Sequence, residues 1–276
     1  MSAASTEVAP EVAPQMTDPI LSLRDVTVQF GGLKACDGVT ADVRRGELFA
    51  LIGPNGAGKT SLVNAITGIY RPNKGATLAY TGSDGDTHDL IGRKPHEVVT
   101  LGVARTFQNL GLFPGLSLLD NMMLGRYIHQ RGGVFSGGFR TRRAVQEEVA
   151  ARAAVERVMD LLEISHLRFD LVGELPYGLQ KRIELGRVLA MEPDLLLLDE
   201  PMAGMTVEEK QDVVRFIFEI RAELDVTVLL IEHDMAVVMS IADRVLALNF
   251  GQPIALGTPE EVQRTPAVVE AYLGAE

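Results

Sequence analysis

The chain has 276 residues, 46% of them hydrophobic, and a formal net charge of −11. That length allows one large core, or a core with a smaller lobe, while the acidic balance argues against a nucleic-acid partner, which needs clustered Lys and Arg. The single cysteine, Cys36, excludes an internal disulfide or a cysteine-based zinc site, and we expect it to fill core space in a reducing, intracellular compartment.

The sequence predicts a disordered N-terminal tail over residues 1–17. Glu7-Val8-Ala9-Pro10 is repeated at once as residues 11–14, and this proline-punctuated stretch cannot pack a core. It also lacks the basic start and apolar run of a signal peptide. We therefore expect one folded domain over residues 18–276.

Strand-like alternation follows from Ile20 to Ile52, with turns at Gly31-Gly32 and Arg45-Gly46. The pattern predicts antiparallel strands that lead into a buried strand, Leu48–Ile52. Helical spacing begins after it, over Ser61–Thr67. The sequence between the two is therefore expected to form a strand-to-helix turn.

That turn reads GPNGAGKT over residues 53–60 and fits the phosphate-binding pattern G-x-x-x-x-G-K-[ST]. The required positions are filled by Gly53, Gly58, Lys59 and Thr60. Glycines let the backbone wrap closely around phosphate, Lys59 reaches the outer phosphates, and Thr60 can hold Mg²⁺. We expect nucleotide contacts also from Asn55, Gly56, Ala57 and Ser61. A glycine-rich turn without a ligand is the weaker alternative, because both the motif and its flanks agree.

The pattern changes to helical after a short predicted strand at Val103–Phe107. Helical spacing is found over Leu118–Tyr127, Arg142–Leu162 and Leu179–Met191, which predicts a helical lobe at about residues 109–190. Apolar runs then return at Leu195–Leu198, Val226–Ile231 and Val245–Leu248. Predicted helices separate or follow them at Val207–Glu223, Met235–Ile241 and Ala267–Leu273. This βαβ rhythm predicts an α/β fold with a parallel sheet covered on both faces.

Acidic and polar residues stand at the ends of the predicted strands, where such sheets present ligands. Asp199 is placed to join the shell of a magnesium ion, and Glu200 to orient or deprotonate an attacking water. His233 follows the next strand and could hydrogen-bond the terminal phosphate, although a lone histidine can be purely structural. Gln108, which follows Phe107, could ligate the metal or hold a water.

These residues resemble the ATP-binding subunits of ABC transporters, and within them those of branched-chain amino acid importers. The likeness covers roughly residues 20 to 274. It rests on GPNGAGKT, RTFQN (Arg105–Asn109), LPYGLQKRIELGR (Leu175–Arg187), LLLLDEP ending at Pro201, and EHD (Glu232–Asp234).

The resemblance implies a P-loop NTPase core of the ABC ATPase type with an antiparallel β subdomain and an inserted α-helical subdomain. ATP and Mg²⁺ would be the cofactors, sandwiched in a head-to-tail dimer between the P-loop of one subunit and Tyr177 and Gly178 of the other. Phe30 would stack on adenine; a core phenylalanine is the competing interpretation. Pro176 stands where the wider family has a serine, so binding across the dimer would rest on backbone donors. Thr206 stands where the wider family has an aspartate, so cross-dimer communication through that carboxylate is not implied.

The implied partners are a second ATP-binding subunit, two integral membrane permeases and an extracytoplasmic substrate-binding protein. The chain would then act peripherally at the cytoplasmic face of the cell membrane. Cargo is not specified by the sequence, so urea, short amides and other solutes stay open beside amino acids. The competing functions are a non-transport ABC ATPase and a P-loop small-molecule kinase; the kinase would leave the LPYGLQ helix and His233 without roles.

Overall fold

A computed structural model describes residues 19–107, 110–129 and 142–273. The predicted tail at residues 1–17 and the candidate ligand Gln108 lie outside these ranges. None of the helices in the described ranges is long and apolar enough to cross a bilayer.

Two sheets organise the described residues. The first is antiparallel with strand order β2-β1-β4-β5, which confirms the antiparallel pairing predicted for the first part of the chain. Its strands are β1 (Pro19–Phe30), β2 (Leu33–Arg44), β4 (Thr77–Thr81) and β5 (Thr87–Asp89). The short pair β4 and β5 was not predicted.

The second sheet has the order β10-β9-β3-β8-β7-β6, and all its neighbours are parallel except β10 and β9. Its strands are β3 (Leu48–Ile52), β6 (Val103–Arg105), β7 (Leu195–Asp199), β8 (Thr227–Ile231), β9 (Arg244–Asn249) and β10 (Gln252–Gly257). The central strands β3, β7 and β8 are buried along their whole length, as expected for a sheet covered on both faces. The predicted strand Val103–Phe107 is shorter than expected, and β10 was missed.

Nine α-helices occur within the described ranges, and most fall where the periodicity predicts them. They are α1 (Lys59–Ile66), α2 (Pro95–Thr100), α3 (Leu118–Gly125), α4 (Arg142–Leu161), α5 (Tyr177–Leu189), α6 (Val207–Leu224), α7 (Met235–Ile241), α8 (Pro259–Gln263) and α9 (Pro266–Leu273). The helix predicted over Leu118–Tyr127 ends at Gly125 and continues as a 3₁₀ turn, Arg126–His129. The helix predicted from Leu179 begins two residues earlier, because Pro176 serves as its N-cap.

The core lies on both faces of the parallel sheet. Leu195 and Leu197 of β7 pack toward α1 and the antiparallel sheet, while Leu196 and Leu198 pack toward α3, α4, α5 and α6. Cys36 is fully buried in the first of these clusters, as predicted, and burial raises the pKa of its thiol to about 12. The boundary of the helical lobe at about 109–190 stays a prediction, since the second cluster joins those helices to β7 and α6.

Candidate nucleotide-binding site

The loop between β3 and α1 has the geometry that its sequence predicts. Gly53, Gly56 and Gly58 all have positive φ, at 149°, 80° and 101°. A Cβ at Gly58 would lie 2.2 Å from the carbonyl oxygen of Ala35, and one at Gly53 would lie 2.3 Å from that of Leu248. No side chain fits at either position, so the loop packs against two neighbouring strands only because glycine is there.

Lys59 opens α1 and is almost completely buried under this loop. Its ammonium donates hydrogen bonds to the carbonyl oxygens of Gly53 at 2.6 Å and Pro54 at 3.1 Å. Burial lowers the pKa of Lys59, and the negative charges of Glu200 and Asp199 act against that shift. The ammonium of Lys59 is therefore a buried cation under the loop, and it interacts electrostatically with the carboxylates of Glu200 and Asp199.

An open cavity of about 350 Å³ lies over the loop. It brings together eight of the predicted residues: Asn55, Gly56, Ala57, Gly58, Lys59, Thr60, Ser61 and Glu200. The remaining lining residues are Leu33, Lys34, Ala35 and Phe250. Gly53, the first residue after β3, does not line the cavity. Free backbone N–H groups at the start of α1 and the helix dipole favour an anion in this cavity.

Asp199 ends β7 and is 1% exposed. One carboxylate oxygen, Oδ2, accepts a 2.6 Å hydrogen bond from the guanidinium of Arg105, which also donates to Asn64 at 2.6 Å. The other, Oδ1, is buried without a hydrogen-bond partner among the described residues. A buried carboxylate oxygen left without a donor suits a cation, so Asp199 fits a magnesium ligand.

Mg²⁺ in nucleotide sites commonly takes one or two protein oxygens and completes its shell with phosphate and water. Within the described ranges, no group of three or more His, Cys, Asp or Glu side chains could hold a metal ion by itself. Thr60 and Asp199 therefore fit a site that a nucleotide would complete.

Glu200 follows Asp199 with an unusual backbone. Its φ is 50°, in the left-handed region that non-glycine residues rarely adopt. The backbone N–H of Glu200 donates to the carbonyl of Ile231 at 2.9 Å, which fixes the turn to the end of β8. Glu200 lines the cavity from this strained turn, and such strain is typical of functional positions.

Other predicted residues are not part of this cavity. Tyr177 and Gly178 open α5, where a Cβ on Gly178 would meet Glu209 at 2.1 Å, and neither lines the cavity. His233 follows β8 with its side chain 60% exposed. Phe30 is 48% exposed and packs edge-on against Tyr70 at 4.9 Å between ring centroids. The alternative that Phe30 is a core residue is therefore wrong; adenine stacking by Phe30 stays a prediction.

Six residues at the site were not predicted as site residues: Leu33, Lys34, Ala35 and Phe250, which line the cavity, and Arg105 and Glu232, which hydrogen-bond to groups beside it. Glu232 is 1% exposed and accepts hydrogen bonds from the backbone N–H groups of Met202 at 3.0 Å and His233 at 3.2 Å. It ties the loop after Glu200 to the loop that carries His233. Burial raises the pKa of the Glu232 carboxyl. Its signal in the sequence is a charged residue directly after the apolar run Val228–Ile231.

We expect Glu232→Gln to lower kcat for ATP hydrolysis about tenfold, because an amide can accept only one of the two backbone hydrogen bonds and a bond to a charged group is lost. The KM for ATP should change little, while the melting temperature should fall, since a buried hydrogen bond is lost. Steady-state kinetics and calorimetry measure the three quantities. Glu47→Gln is the matched control, since Glu47 is a buried glutamate at the opposite end of the sheet; it should affect melting and spare kcat. An unchanged kcat in Glu232→Gln would contradict a positioning role.

The fold and the loop define a P-loop nucleotide-binding domain, and comparisons with known proteins agree. A family model described as ABC transporter matches residues 36–203, and one described as branched-chain amino acid ATP-binding cassette transporter matches residues 252–276.

The curated relatives carry matching names. The chain is 38% identical over 259 residues to the high-affinity branched-chain amino acid transport ATP-binding protein BraF of Pseudomonas aeruginosa, covering 94% of this chain and 99% of BraF. It is 39% identical over 263 residues to the corresponding protein LivG of Escherichia coli, covering 94% and 99%. A crystal structure of the ADP conformation of an ATP-binding cassette of an ABC transporter superposes with a TM-score of 0.78 at 29% identity, over 94% of this chain and 100% of that one.

The chain therefore belongs to the family of ABC transporter ATP-binding subunits, in the branch of the branched-chain amino acid transport ATP-binding proteins. This confirms the resemblance, the ABC ATPase fold and the activity predicted from the motifs: the chain is a transporter subunit that hydrolyses ATP.

Proposed function

We propose that this subunit energises the import of branched-chain or other hydrophobic amino acids. The names of the relatives support the cargo, and the cavity that joins the P-loop to Glu200 supports the energy source. Urea, short amides and other solutes are the alternative cargo, because membrane and binding-protein partners select it.

The cavity suggests a division of labour in hydrolysis. Backbone N–H groups of Gly56, Gly58 and their neighbours bind phosphate oxygens. The ammonium of Lys59 then donates hydrogen bonds to the outer phosphates instead of to the loop carbonyls. Thr60 and Asp199 would hold Mg²⁺, with Gln108 as a further ligand, and the ion would neutralise charge on the phosphates.

Glu200 orients the attacking water and accepts its proton, since its carboxylate faces the cavity beside Lys59. His233 donates a hydrogen bond to the terminal phosphate. Its exposed ring leaves it free to reach a nucleotide that lies between two subunits. Glu232 joins the loop after Glu200 to the loop that carries His233, because its carboxylate accepts hydrogen bonds from the backbone N–H groups of Met202 and His233.

A second ATP-binding subunit completes the site. The N-terminus of α5 carries free N–H groups and a positive dipole end, but Tyr177 and Gly178 do not line the cavity of their own chain. In a head-to-tail pair these donors would face the γ-phosphate bound to the other subunit. Pro176 supplies no N–H, so the contact rests on the backbone after it.

The dimer should form only with nucleotide. We expect Glu200→Gln, which slows hydrolysis, to be a monomer alone and to double its mass with MgATP, because each subunit provides only half of the phosphate ligands. Multi-angle light scattering measures both states. ADP in place of ATP is the control and should leave a monomer, since it lacks the γ-phosphate. The same mass under all three conditions would count heavily against the sandwich.

Transport needs partners that span the membrane: two permease subunits and an extracytoplasmic substrate-binding protein, with this chain held peripherally at the cytoplasmic face. The decisive experiment reconstitutes the complex in vesicles and measures ATP hydrolysis with the binding protein empty, loaded with leucine or exposed to urea. Leucine-dependent stimulation is the expected result. Stimulation of ATP hydrolysis by urea and not by leucine would contradict the proposed amino-acid cargo and favour the alternative.

A further inference from the structure

Phe250 occupies a turn that its side chain does not suit. Asn249 of β9 pairs with Gln252 of β10, so Phe250 and Gly251 form the two central residues of a hairpin turn. Both have positive φ, 46° and 80°, as a type I′ turn requires. Such turns favour Asn-Gly, because asparagine tolerates the left-handed conformation and a bulky aromatic residue does not. Turn formation therefore gives no reason for a phenylalanine here.

Core packing gives no reason either. Phe250 is 86% exposed, so its ring contributes little to the hydrophobic core. An aromatic ring that is both conformationally strained and solvent-exposed is the pattern found at binding positions.

The ring borders the nucleotide cavity. Among the described residues that line this cavity, Phe250 supplies the only aromatic ring. The turn is also held firmly: the N–H of Gly251 donates to the carbonyl of Ala57 in the P-loop at 3.0 Å, and the N–H of Asp37 donates to the carbonyl of Gly251 at 2.8 Å. Phe250 is thus kept at a fixed position relative to the phosphate-binding backbone.

Leu33 lines the same cavity and is 69% exposed, and Ala35 lies beside it. These two residues and Phe250 give the cavity an apolar part that phosphate does not need. A nucleoside does need it, because bases and ribose carry apolar faces that pack on aromatic and aliphatic side chains. Phe30, by contrast, has its ring against Tyr70 and does not line the cavity.

We propose that Phe250 is a nucleotide-contact residue, whose ring packs against the base–ribose part of bound ATP while Leu33 supports it from β2. The inference rests on the proposed function insofar as ATP is the ligand. It assigns nucleoside recognition to the β9–β10 turn, in addition to the contact predicted for Phe30 at the end of β1. The strained conformation of Phe250 then has a function, because it places the ring at the nucleotide.

The test replaces Phe250 by the residue that the turn prefers. Phe250→Asn should raise the melting temperature, since asparagine relieves the strained conformation. It should weaken ATP binding about tenfold, the usual scale for a lost stacking contact. Binding of inorganic tripolyphosphate, which has no nucleoside, should not change. Phe250→Tyr keeps the ring and should bind ATP as the parent does.

Phe169→Asn is the matched control, because Phe169 is 77% exposed and does not line the nucleotide cavity. Nor does it line the second cavity that Phe250 borders, on the side of Ala267 and Glu270 of α9. It should leave both affinities unchanged. Calorimetric titration at a protein concentration where light scattering shows a monomer measures ATP and tripolyphosphate separately.

Three results would overturn the inference. Equal ATP affinity in Phe250→Asn and the parent would remove the contact. Equal losses for ATP and tripolyphosphate would mean that the turn only supports the P-loop. Loss of ATP-driven dimerisation with unchanged affinity in the monomer would assign the ring to the subunit interface. Failure of the parent protein to bind ATP would instead sink the proposed function, so the two failures are distinguishable.

Discussion

Lys59→Ala is expected to weaken ATP binding about 100-fold or more and to abolish turnover, with the fold intact. The ammonium of Lys59 is the buried cation under the P-loop, and charge-assisted hydrogen bonds to phosphate are among the strongest available to a side chain. Among the described residues, the same group donates to the carbonyls of Gly53 and Pro54. Alanine forfeits those bonds at a cost of roughly 1–3 kcal/mol, which a domain of this size withstands.

Titration with a fluorescent ATP analogue and circular dichroism measure the two effects. Lys34→Ala is the graded comparison, because Lys34 lines the same cavity but is half-exposed and paired with Asp37 at 2.9 Å. An exposed, partnered lysine contributes little, so its loss should change affinity less than about threefold. Equal effects of the two variants would mean that overall cavity charge, rather than the P-loop lysine, binds the nucleotide.

The parts of the fold that the sequence predicts best are those with local causes. β7 is predicted because a strand buried on both faces is a continuous apolar run in the sequence. α1 is predicted because helical spacing of apolar residues begins directly after the glycine-rich loop. The missed strands lack such a signal. β10 is largely exposed and lies at the edge of its sheet, so no alternation marks it. β5 has only three residues, too few for any period to show.

The site divides in the same way. The P-loop residues form one continuous segment, so a motif predicts them together. The Arg105–Asp199 pair joins residues 94 positions apart, and the bond from Met202 to Glu232 spans 30. Such pairings depend on which strands become neighbours, and single-chain periodicity carries no information about that order. Phe250 escapes prediction for another reason: its position in the turn goes against the residue preferences from which turns are predicted.

The separation of Tyr177 and Gly178 from their own cavity has a physical consequence for catalysis. In the proposed head-to-tail pair, the P-loop of one chain would bind the nucleotide and the positive end of α5 from the second chain would enclose the γ-phosphate. Hydrolysis would then be tied to closure of the dimer, which is a motion that membrane partners can use. In the closed dimer, Glu200 would activate the water that attacks the γ-phosphate.

Glu200→Gln is expected to slow hydrolysis about 100-fold or more, the usual scale for a positioned general base. The amide keeps the shape of the side chain but cannot accept the proton of water. Binding should survive or tighten, because Lys59, Thr60 and Asp199 still hold the nucleotide and one negative charge near the γ-phosphate is gone. The variant should accumulate as an ATP-bound dimer. Single-turnover hydrolysis and nucleotide affinity, measured side by side, test both statements.

Asp199→Asn should behave differently, and the contrast tests the division of labour. Its carboxylate is assigned to the metal through the free Oδ1, so the amide should weaken Mg²⁺-dependent ATP binding as well as turnover. It should also destabilise the fold, since Arg105 is left as a buried cation without its counter-charge. Glu200→Gln carries no such penalty, because Glu200 is only partly buried at the cavity. Hydrolysis at the parent rate in Glu200→Gln would make the catalytic assignment wrong, and His233, at the end of the neighbouring strand, would become the next candidate.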